Sequence, residues 1–60
     1  MSDAGFRLSR IRAEGWKKAQ ELSASECEDM DLARAAELNP YPSEPERSRW
    51  HDGFEKGVWG

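Results

Sequence analysis

The chain has 60 residues, of which 37% are hydrophobic and 35% charged, and its formal net charge is −3. This length allows one small domain, which we place over residues 1–60, and a domain of this size has marginal stability. Its single cysteine (Cys27) and single histidine (His51) exclude an intrachain disulfide and a four-ligand zinc site. Because no stretch has the length and apolarity of a signal peptide or a membrane span, we expect a cytoplasmic protein with no membrane contact, metal or cofactor.

The first predicted element is an amphipathic helix over residues 6–22, for which Ser2 or Asp3 provides the N-cap. Its apolar stripe consists of Leu8, Ile11, Gly15, Ala19 and Leu22. Glycine costs about 1 kcal/mol relative to alanine inside a helix, so Gly15 indicates that a large group packs closely against the stripe. Trp16 lies at the edge of the stripe, where it can fold over the seam.

The opposite sector of this helix is charged, with Arg7, Arg10, Lys17 and Lys18 interspersed with Glu14 and Glu21. One interpretation is a basic stripe that faces phosphates. The other is a set of solvated i,i+4 ion pairs worth about 0.2–0.5 kcal/mol each. These pairs would be Arg10–Glu14, Glu14–Lys18 and Lys17–Glu21. The helix alone favours the ion pairs, and both interpretations stay open.

A second, acidic helix is predicted over residues 26–38. Ser23 with Glu26, and Ser25 with Glu28, each match the capping box. The acids of this segment are Glu26, Glu28, Asp29 and Asp31. They lie where the helix dipole favours carboxylates, and they lack the residue order of an EF-hand loop, so we interpret them as helix-start residues rather than a calcium site.

The pair Asn39-Pro40 is predicted to end the acidic helix, because the residue before a proline is disfavoured in the α region. Ser43 and Glu46 match a third capping box, which predicts a last helix over residues 44–57. Its apolar face contains Trp50, Gly53, Phe54 and Gly57. The two glycines indicate close approach by another surface, for which the Gly15 stripe is the candidate. The sequence thus predicts an all-α domain of two or three helices with a proline-containing connector.

Charge is unevenly distributed along the chain. Residues 1–22 carry five basic and three acidic side chains. Residues 23–46 carry one basic and seven acidic side chains, and residues 47–60 carry three basic and two acidic side chains. Because non-specific affinity for nucleic acids comes mainly from Lys and Arg, an acidic chain is a poor non-specific binder. A nucleic-acid function would have to use the basic ends and keep the acidic middle away.

Catalytic constellations are missing from the sequence, which has no P-loop and no G-x-G-x-x-G motif. Any Ser/His/Asp triad must use His51, yet its neighbour Asp52 points about 100° away on a helix. We therefore expect no catalytic residue and predict that the chain is not an enzyme.

The segment from Pro40 to Phe54 has the form Pro-Tyr, five residues, Arg-Ser, one residue, Trp, two residues, Gly-Phe. This motif resembles the ribosome modulation factor family, and the pair Gly15-Trp16 is similar to the glycine-aromatic pair on that family's first helix. The resemblance implies two helices joined by a connector. It also implies a bacterial protein that binds small-subunit 16S rRNA near its 3′ end and acts in ribosome hibernation and translation regulation.

On this resemblance, the candidate RNA-binding residues are Arg7, Arg10, Arg12, Lys17, Lys18, Arg47 and Arg49. The family-motif and core residues are Gly15, Trp16, Pro40, Tyr41, Arg47, Ser48, Trp50, Gly53 and Phe54. Two alternatives stay open. One is a protein-interaction module, binding either a second copy of itself or another protein, that uses exposed aromatics such as Trp16 and Trp59. The other is a small antibiotic-modifying protein of the CrpP-like type, which shares the motif.

Overall fold

The computed structural model describes residues 3–60, with side chains from residue 5 onward. Four helices and no strand make up this part of the chain: α1 (Asp3–Gln20), α2 (Ala24–Glu28), α3 (Leu32–Leu38) and α4 (Glu46–Val58). The predicted all-α class is confirmed. The caps predicted for α1 lie outside the described side chains. No helix among residues 3–60 is long and apolar enough to cross a membrane.

Helices α1 and α4 pack side by side and run parallel. A Cβ atom added to Gly15 would collide with the backbone carbonyl of Trp50. One added to Gly53 would meet the carbonyl of Arg12, and one added to Gly57 would meet Ala19. Contacts therefore advance in the same direction along both helices, and each helix presents glycine to the backbone of the other. The close approach predicted from the glycines is confirmed.

The core lies along this helix pair and under α3. Its buried residues are Ile11, Ala19, Ala35, Trp50 and Phe54. The rings of Trp50 and Phe54 stack with their centroids 4.9 Å apart and an interplanar angle of 14°. Such aromatic pairs contribute about 0.5–1.5 kcal/mol beyond the area that they bury. The sequence assignment of both rings to the core is confirmed.

The acidic middle segment forms two short helices rather than the single helix predicted over residues 26–38. The Ser23–Glu26 capping box is present, with the Glu26 carboxylate accepting from Ser23 N at 3.0 Å and the Ser23 hydroxyl accepting from Glu26 N at 3.2 Å. The Ser25–Glu28 box does not form. Asp31 instead caps α3, since its carboxylate accepts from Arg34 N at 2.8 Å while its backbone is extended. Aspartate is a favoured N-cap, and this cap interrupts the helix.

The ends of the two long helices also differ from their predicted positions. Helix α1 spans Asp3–Gln20 instead of residues 6–22. Helix α4 begins at Glu46 with Pro45 as its N-cap, and no side chain caps it, so the predicted Ser43–Glu46 box is wrong. The carboxylate of Glu44 accepts from the backbone N of Ser48 at 3.0 Å instead. Pro45 has no side-chain acceptor with which to cap the helix, so the neighbouring Glu44 satisfies this N–H of the first turn.

Three polar residues hold the connector between α3 and α4. The amide oxygen of Asn39 accepts from Tyr41 N at 3.0 Å, and its amide nitrogen donates to the Arg47 carbonyl at 3.0 Å. Arg47 donates through Nη1 to the Tyr41 carbonyl at 2.9 Å and through Nη2 to the Ala36 carbonyl at 3.4 Å. As predicted, α3 ends at Leu38, and Asn39, the residue before Pro40, is its C-cap. Asn39 and Arg47 fix the path that the chain takes from there to α4.

Candidate functional site

A groove of about 250 Å³ runs beside the contact between α1 and α4. We call it the α1–α4 groove. Its lining residues are Ser9, Arg12, Ala13, Trp16, Gly53 and Lys56. The residues from α1 are spaced by three or four positions, so they share one side of that helix. Because Gly53 has no side chain, the backbone forms the floor of the groove.

Trp16 forms an exposed wall of this groove. Its side chain does not close over the seam as the sequence indicated, because 51% of the residue remains exposed. The backbone nitrogen of Trp16 lies against Gly53, where α1 and α4 are in close contact. The indole therefore presents much of its surface to solvent next to two positive side chains.

The groove is electropositive. Arg12 and Lys56 are its two charged lining residues, and no carboxylate lines it. Within residues 5–60 no acidic side chain lies within 4.0 Å of either cation. Arg12 belongs to the basic N-terminal part of the sequence and Lys56 to the basic C-terminal part. The parallel packing of α1 and α4 brings these two basic ends together.

Most of the other candidate cations have a protein partner. Arg7 pairs with Glu46 at 2.8 Å, Lys18 lies 3.9 Å from Glu21, and Arg49 lies 3.9 Å from Asp52. The pKa of Glu46 is lowered, first by its own backbone N–H and then by Arg7. Arg47 holds the connector, as described above. The structure thus separates these four candidates from the α1–α4 groove.

Arg10 and Lys17 lie on another side of α1. Both are exposed, and their seven-residue spacing places them in one sector, away from the stripe of Ile11, Gly15 and Ala19. They are not among the residues that line the α1–α4 groove. They form a second, smaller basic area that the groove does not include.

The three i,i+4 ion pairs predicted for α1 do not form among the described side chains. Glu14 instead accepts a hydrogen bond of 2.6 Å from the Tyr41 hydroxyl, which ties the connector to α1. This bond to a carboxylate raises the pKa of Tyr41 above its ordinary value of 10.0, because ionisation would remove the donor. Glu14 therefore binds Tyr41, which is distant in the sequence, instead of Arg10, its predicted partner in the same helix.

The residues of the Pro40–Phe54 motif have largely structural roles in this chain. Trp50 and Phe54 are buried in the core, and Gly53 allows the helix contact. Tyr41 binds Glu14, and Arg47 binds two carbonyls of the connector. Ser48 donates its hydroxyl to Glu44, and Pro40 is exposed. Of the motif and core candidates, Trp16 and Gly53 line the α1–α4 groove.

Lys56 is the one charged groove residue that is absent from the candidates predicted from the sequence. It lies three positions after Gly53, on the side of α4 that faces Arg12 once the glycines are in contact. The sequence contains this residue, but its proximity to Arg12 follows only when the position of α4 along α1 is known. The structure fixes that position, because Gly53 lies against Arg12 rather than against Gly15.

Catalytic and metal chemistry find little support in the described side chains. His51 is half-buried, with its Nε2 atom 3.9 Å from the Glu55 carboxylate, and it makes no hydrogen bond to Ser48 or Asp52. No group of three or more His, Cys, Asp or Glu side chains in this part of the chain is placed to hold a metal ion. Cys27 is a free, half-exposed thiol on α2.

A second groove, of about 580 Å³, lies at the C-terminal end of α4. We call it the terminal groove. Its lining residues are Asp31, Leu32, Glu55, Lys56, Trp59 and Gly60. Leu32 is 66% exposed and Trp59 45% exposed. Trp59 therefore does not close over the core, and the terminal groove is an open apolar surface with two carboxylates at its rim.

Comparison of the chain with protein-family models, with curated proteins and with solved structures finds no match in any of the three.

Proposed function

We propose that this chain is an RNA-binding modulation factor of bacterial ribosomes, which contacts small-subunit 16S rRNA through the α1–α4 groove. One observation carries the proposal. Two cations from opposite ends of the sequence meet a half-exposed indole in a groove that no carboxylate lines. Proteins that bind single-stranded nucleic acids combine cations that contact the phosphate backbone with aromatic side chains on which the bases stack.

The chemistry of the groove suits a short stretch of unpaired RNA. Arg12 and Lys56 are placed to neutralise phosphates, while the exposed face of Trp16 offers a surface on which a base can stack. Stacking on an aromatic side chain contributes about 1–3 kcal/mol per base. Two neutralised phosphates on a single strand predict a slope of about −1.4 for log K against log[salt]. We therefore expect binding that is modest in affinity and only moderately sensitive to salt.

The position of the acidic middle supports the same proposal. Three of its carboxylates, those of Glu26, Asp29 and Asp31, line a different cavity of about 480 Å³ near the end of α1. None of them lines the α1–α4 groove. The net charge of −3 therefore understates how positive this one surface is.

The test is co-sedimentation with purified bacterial small subunits at low and at physiological salt. We expect the double variant Arg12→Glu with Lys56→Glu to lose at least tenfold in affinity, since both phosphate contacts become repulsive. The matched control is Arg10→Glu with Lys17→Glu, which changes the net charge equally on the other side of α1. An equal loss in both variants would show that only net charge matters, and it would contradict the groove assignment. So would unchanged binding of the first variant.

A protein-interaction module is the second candidate function. The observation that favours it is the exposure of Phe6 and Leu32, which are 70% and 66% exposed, together with Trp59. Leu32 and Trp59 line one open groove, and contiguous exposed apolar surface of this kind marks sites of protein–protein contact. This second function uses a different surface from the α1–α4 groove, and both functions can belong to one protein.

A further inference from the structure

Within residues 5–60, three of the four exposed large apolar side chains lie at the two ends of an elongated molecule, and the fourth, Trp16, lies between them in the α1–α4 groove. Phe6 lies near the start of α1, and Trp59 follows the last residue of α4. Because α1 and α4 are parallel, these two residues lie toward opposite ends of a body that measures 42 × 18 × 15 Å. One molecule cannot bring its own Phe6 to its own Trp59.

The two ends are complementary in shape. Phe6 projects from a helix as a single aromatic side chain, 70% exposed. At the other end, Leu32 and Trp59 line the terminal groove, whose volume of about 580 Å³ admits an aromatic ring. Phe6 is therefore a protruding side chain at one end, which we call the knob, and the terminal groove is an open apolar pocket at the other end.

The two ends are complementary in charge as well. Arg10 lies one turn from Phe6, and no described carboxylate lies within 4.0 Å of it. Two carboxylates, from Asp31 and Glu55, line the terminal groove against one cation, Lys56. The N-terminal end of α1 carries the positive pole of its helix dipole, and the C-terminal end of α4 carries the negative pole. A head-to-tail approach is therefore electrostatically favourable, whereas joining two like ends is not.

We propose that the terminal groove binds Phe6 of a second copy of this chain, so that the protein associates head to tail. The contact is heterologous, since the surface used on one molecule differs from the surface used on the next. A heterologous contact leaves one free knob and one free groove on every dimer, so association continues beyond two copies unless a ring closes. The interface is small and depends on few apolar side chains, so we expect association in the high-micromolar range.

The association does not depend on RNA, and it is separable from the function proposed for the α1–α4 groove. Phe6, Leu32 and Trp59 do not line that groove. Lys56 alone lines both grooves. A protein that assembles without binding ribosomes, or binds ribosomes without assembling, would separate the two proposals.

Sedimentation equilibrium of the RNA-free full chain tests the contact through complementation. The wild-type chain is expected to grow beyond dimers as its concentration rises toward the millimolar range. Phe6→Ala keeps only the groove and Trp59→Ala keeps only the knob, so each variant alone is expected to remain monomeric. Their equimolar mixture has one intact contact, and it is expected to form dimers that grow no further.

Controls separate loss of the contact from loss of the fold. Both substituted side chains are exposed, so far-ultraviolet circular dichroism should match that of the wild type. If Trp59→Ala loses helix, Leu32→Asn replaces it as the groove variant. Trp16→Ala removes an exposed aromatic that belongs to neither end, and it should associate as the wild type does.

Three results would overturn the proposal. The first is a wild-type chain that stays monomeric at millimolar concentration. The second is a dimer formed by either single variant alone, which indicates a symmetric interface. The third is an equimolar mixture that stays monomeric while the wild type associates.

Discussion

The helix pair α1–α4 and the connector over residues 21–45 hold together by different means. In the pair, Gly15 and Gly53 bring each backbone against the other, and Trp50 and Phe54 are buried beside them. The connector contributes one fully buried side chain, Ala35, and four partly buried ones that pack against the core: Leu22, Met30, Leu38 and Tyr41. Caps and hydrogen bonds hold the rest of it.

This difference predicts how each region responds to substitution. Steric contacts between backbones cannot relax without moving a whole helix, because packed interiors are dense. Hydrogen bonds at the surface are each worth only about 0.5–1.5 kcal/mol. Damage to the helix pair should therefore abolish folding, whereas damage to the connector should lower stability in small steps.

The largest effect is expected from Gly15→Ala and Gly53→Ala. Each new Cβ atom would overlap a backbone carbonyl of the opposite helix, and at Gly15 it would also lie 2.9 Å from the backbone nitrogen of Phe54. We expect a loss of about 3 kcal/mol or more, measured by urea denaturation, which exhausts most of the stability of so small a domain. Gly5→Ala is the control, since nothing lies within 4 Å of that position. Unfolding of the control, or cooperative folding of both variants, would contradict the tight helix contact.

Trp50→Ala is expected to have an effect of similar size. Trp50 is 3% exposed and stacks on Phe54, so its removal leaves a cavity in the core. Truncation of a buried tryptophan costs about 3–5 kcal/mol in the free energy of unfolding. Trp16→Ala is the matched control, because half of that side chain is exposed. Thermal unfolding should separate the two variants, and equal melting temperatures would place Trp50 outside the core.

Asn39→Ala tests the connector. The substitution removes the acceptor of Tyr41 N and the donor to the Arg47 carbonyl. Leaving such part-buried groups without partners costs about 1–3 kcal/mol. Hydrogen exchange should show faster exchange at Tyr41 N while the amides of α1 remain protected. Loss of protection in α1 as well would show that the connector and the helix pair are one cooperative unit.

The smallest effect is expected from Tyr41→Phe, and it depends on pH. Because the pKa of Tyr41 is raised above 10.0 by its bond to Glu14, this bond stabilises the fold below pH 10. Its contribution, about 1 kcal/mol, is lost as pH rises through the raised pKa. The difference in unfolding free energy between wild type and variant should be constant near neutral pH and shrink above pH 10. A difference that does not change with pH would exclude the Glu14 bond as its source.

The sequence predicted the helix pair better than it predicted the connector, and the reason is physical. Spacing of apolar residues and glycines is visible along the chain, so the contact of the Gly15 stripe with Gly53 and Gly57 could be predicted. The break in the acidic helix at Asp31 could not be predicted. The pattern of residues 26–38 is compatible with one continuous helix, and it does not show that Asp31 caps a new helix instead. The bond from Tyr41 to Glu14 joins residues 27 positions apart, which no i,i+4 pattern reveals.

The candidate site was predicted in part for the same reason. Arg12 and Trp16 were both named from the sequence, one as a phosphate contact and the other as a motif residue. Lys56 was missed because its proximity to Arg12 follows only from the parallel alignment of two helices. Arg47 and Arg7 look available in the sequence, yet tertiary contacts hold both.

The most direct test of the account is an NMR titration of the ¹⁵N-labelled chain with a single-stranded RNA that carries the sequence of the 3′ end of 16S rRNA. We expect the largest chemical-shift changes at the Trp16 indole N–H and at the backbone amides of Arg12, Gly53 and Lys56. We expect little change at Leu32 and Trp59. Changes confined to the terminal groove or to Arg10 and Lys17, or no change at all, would contradict the claim that the α1–α4 groove binds RNA.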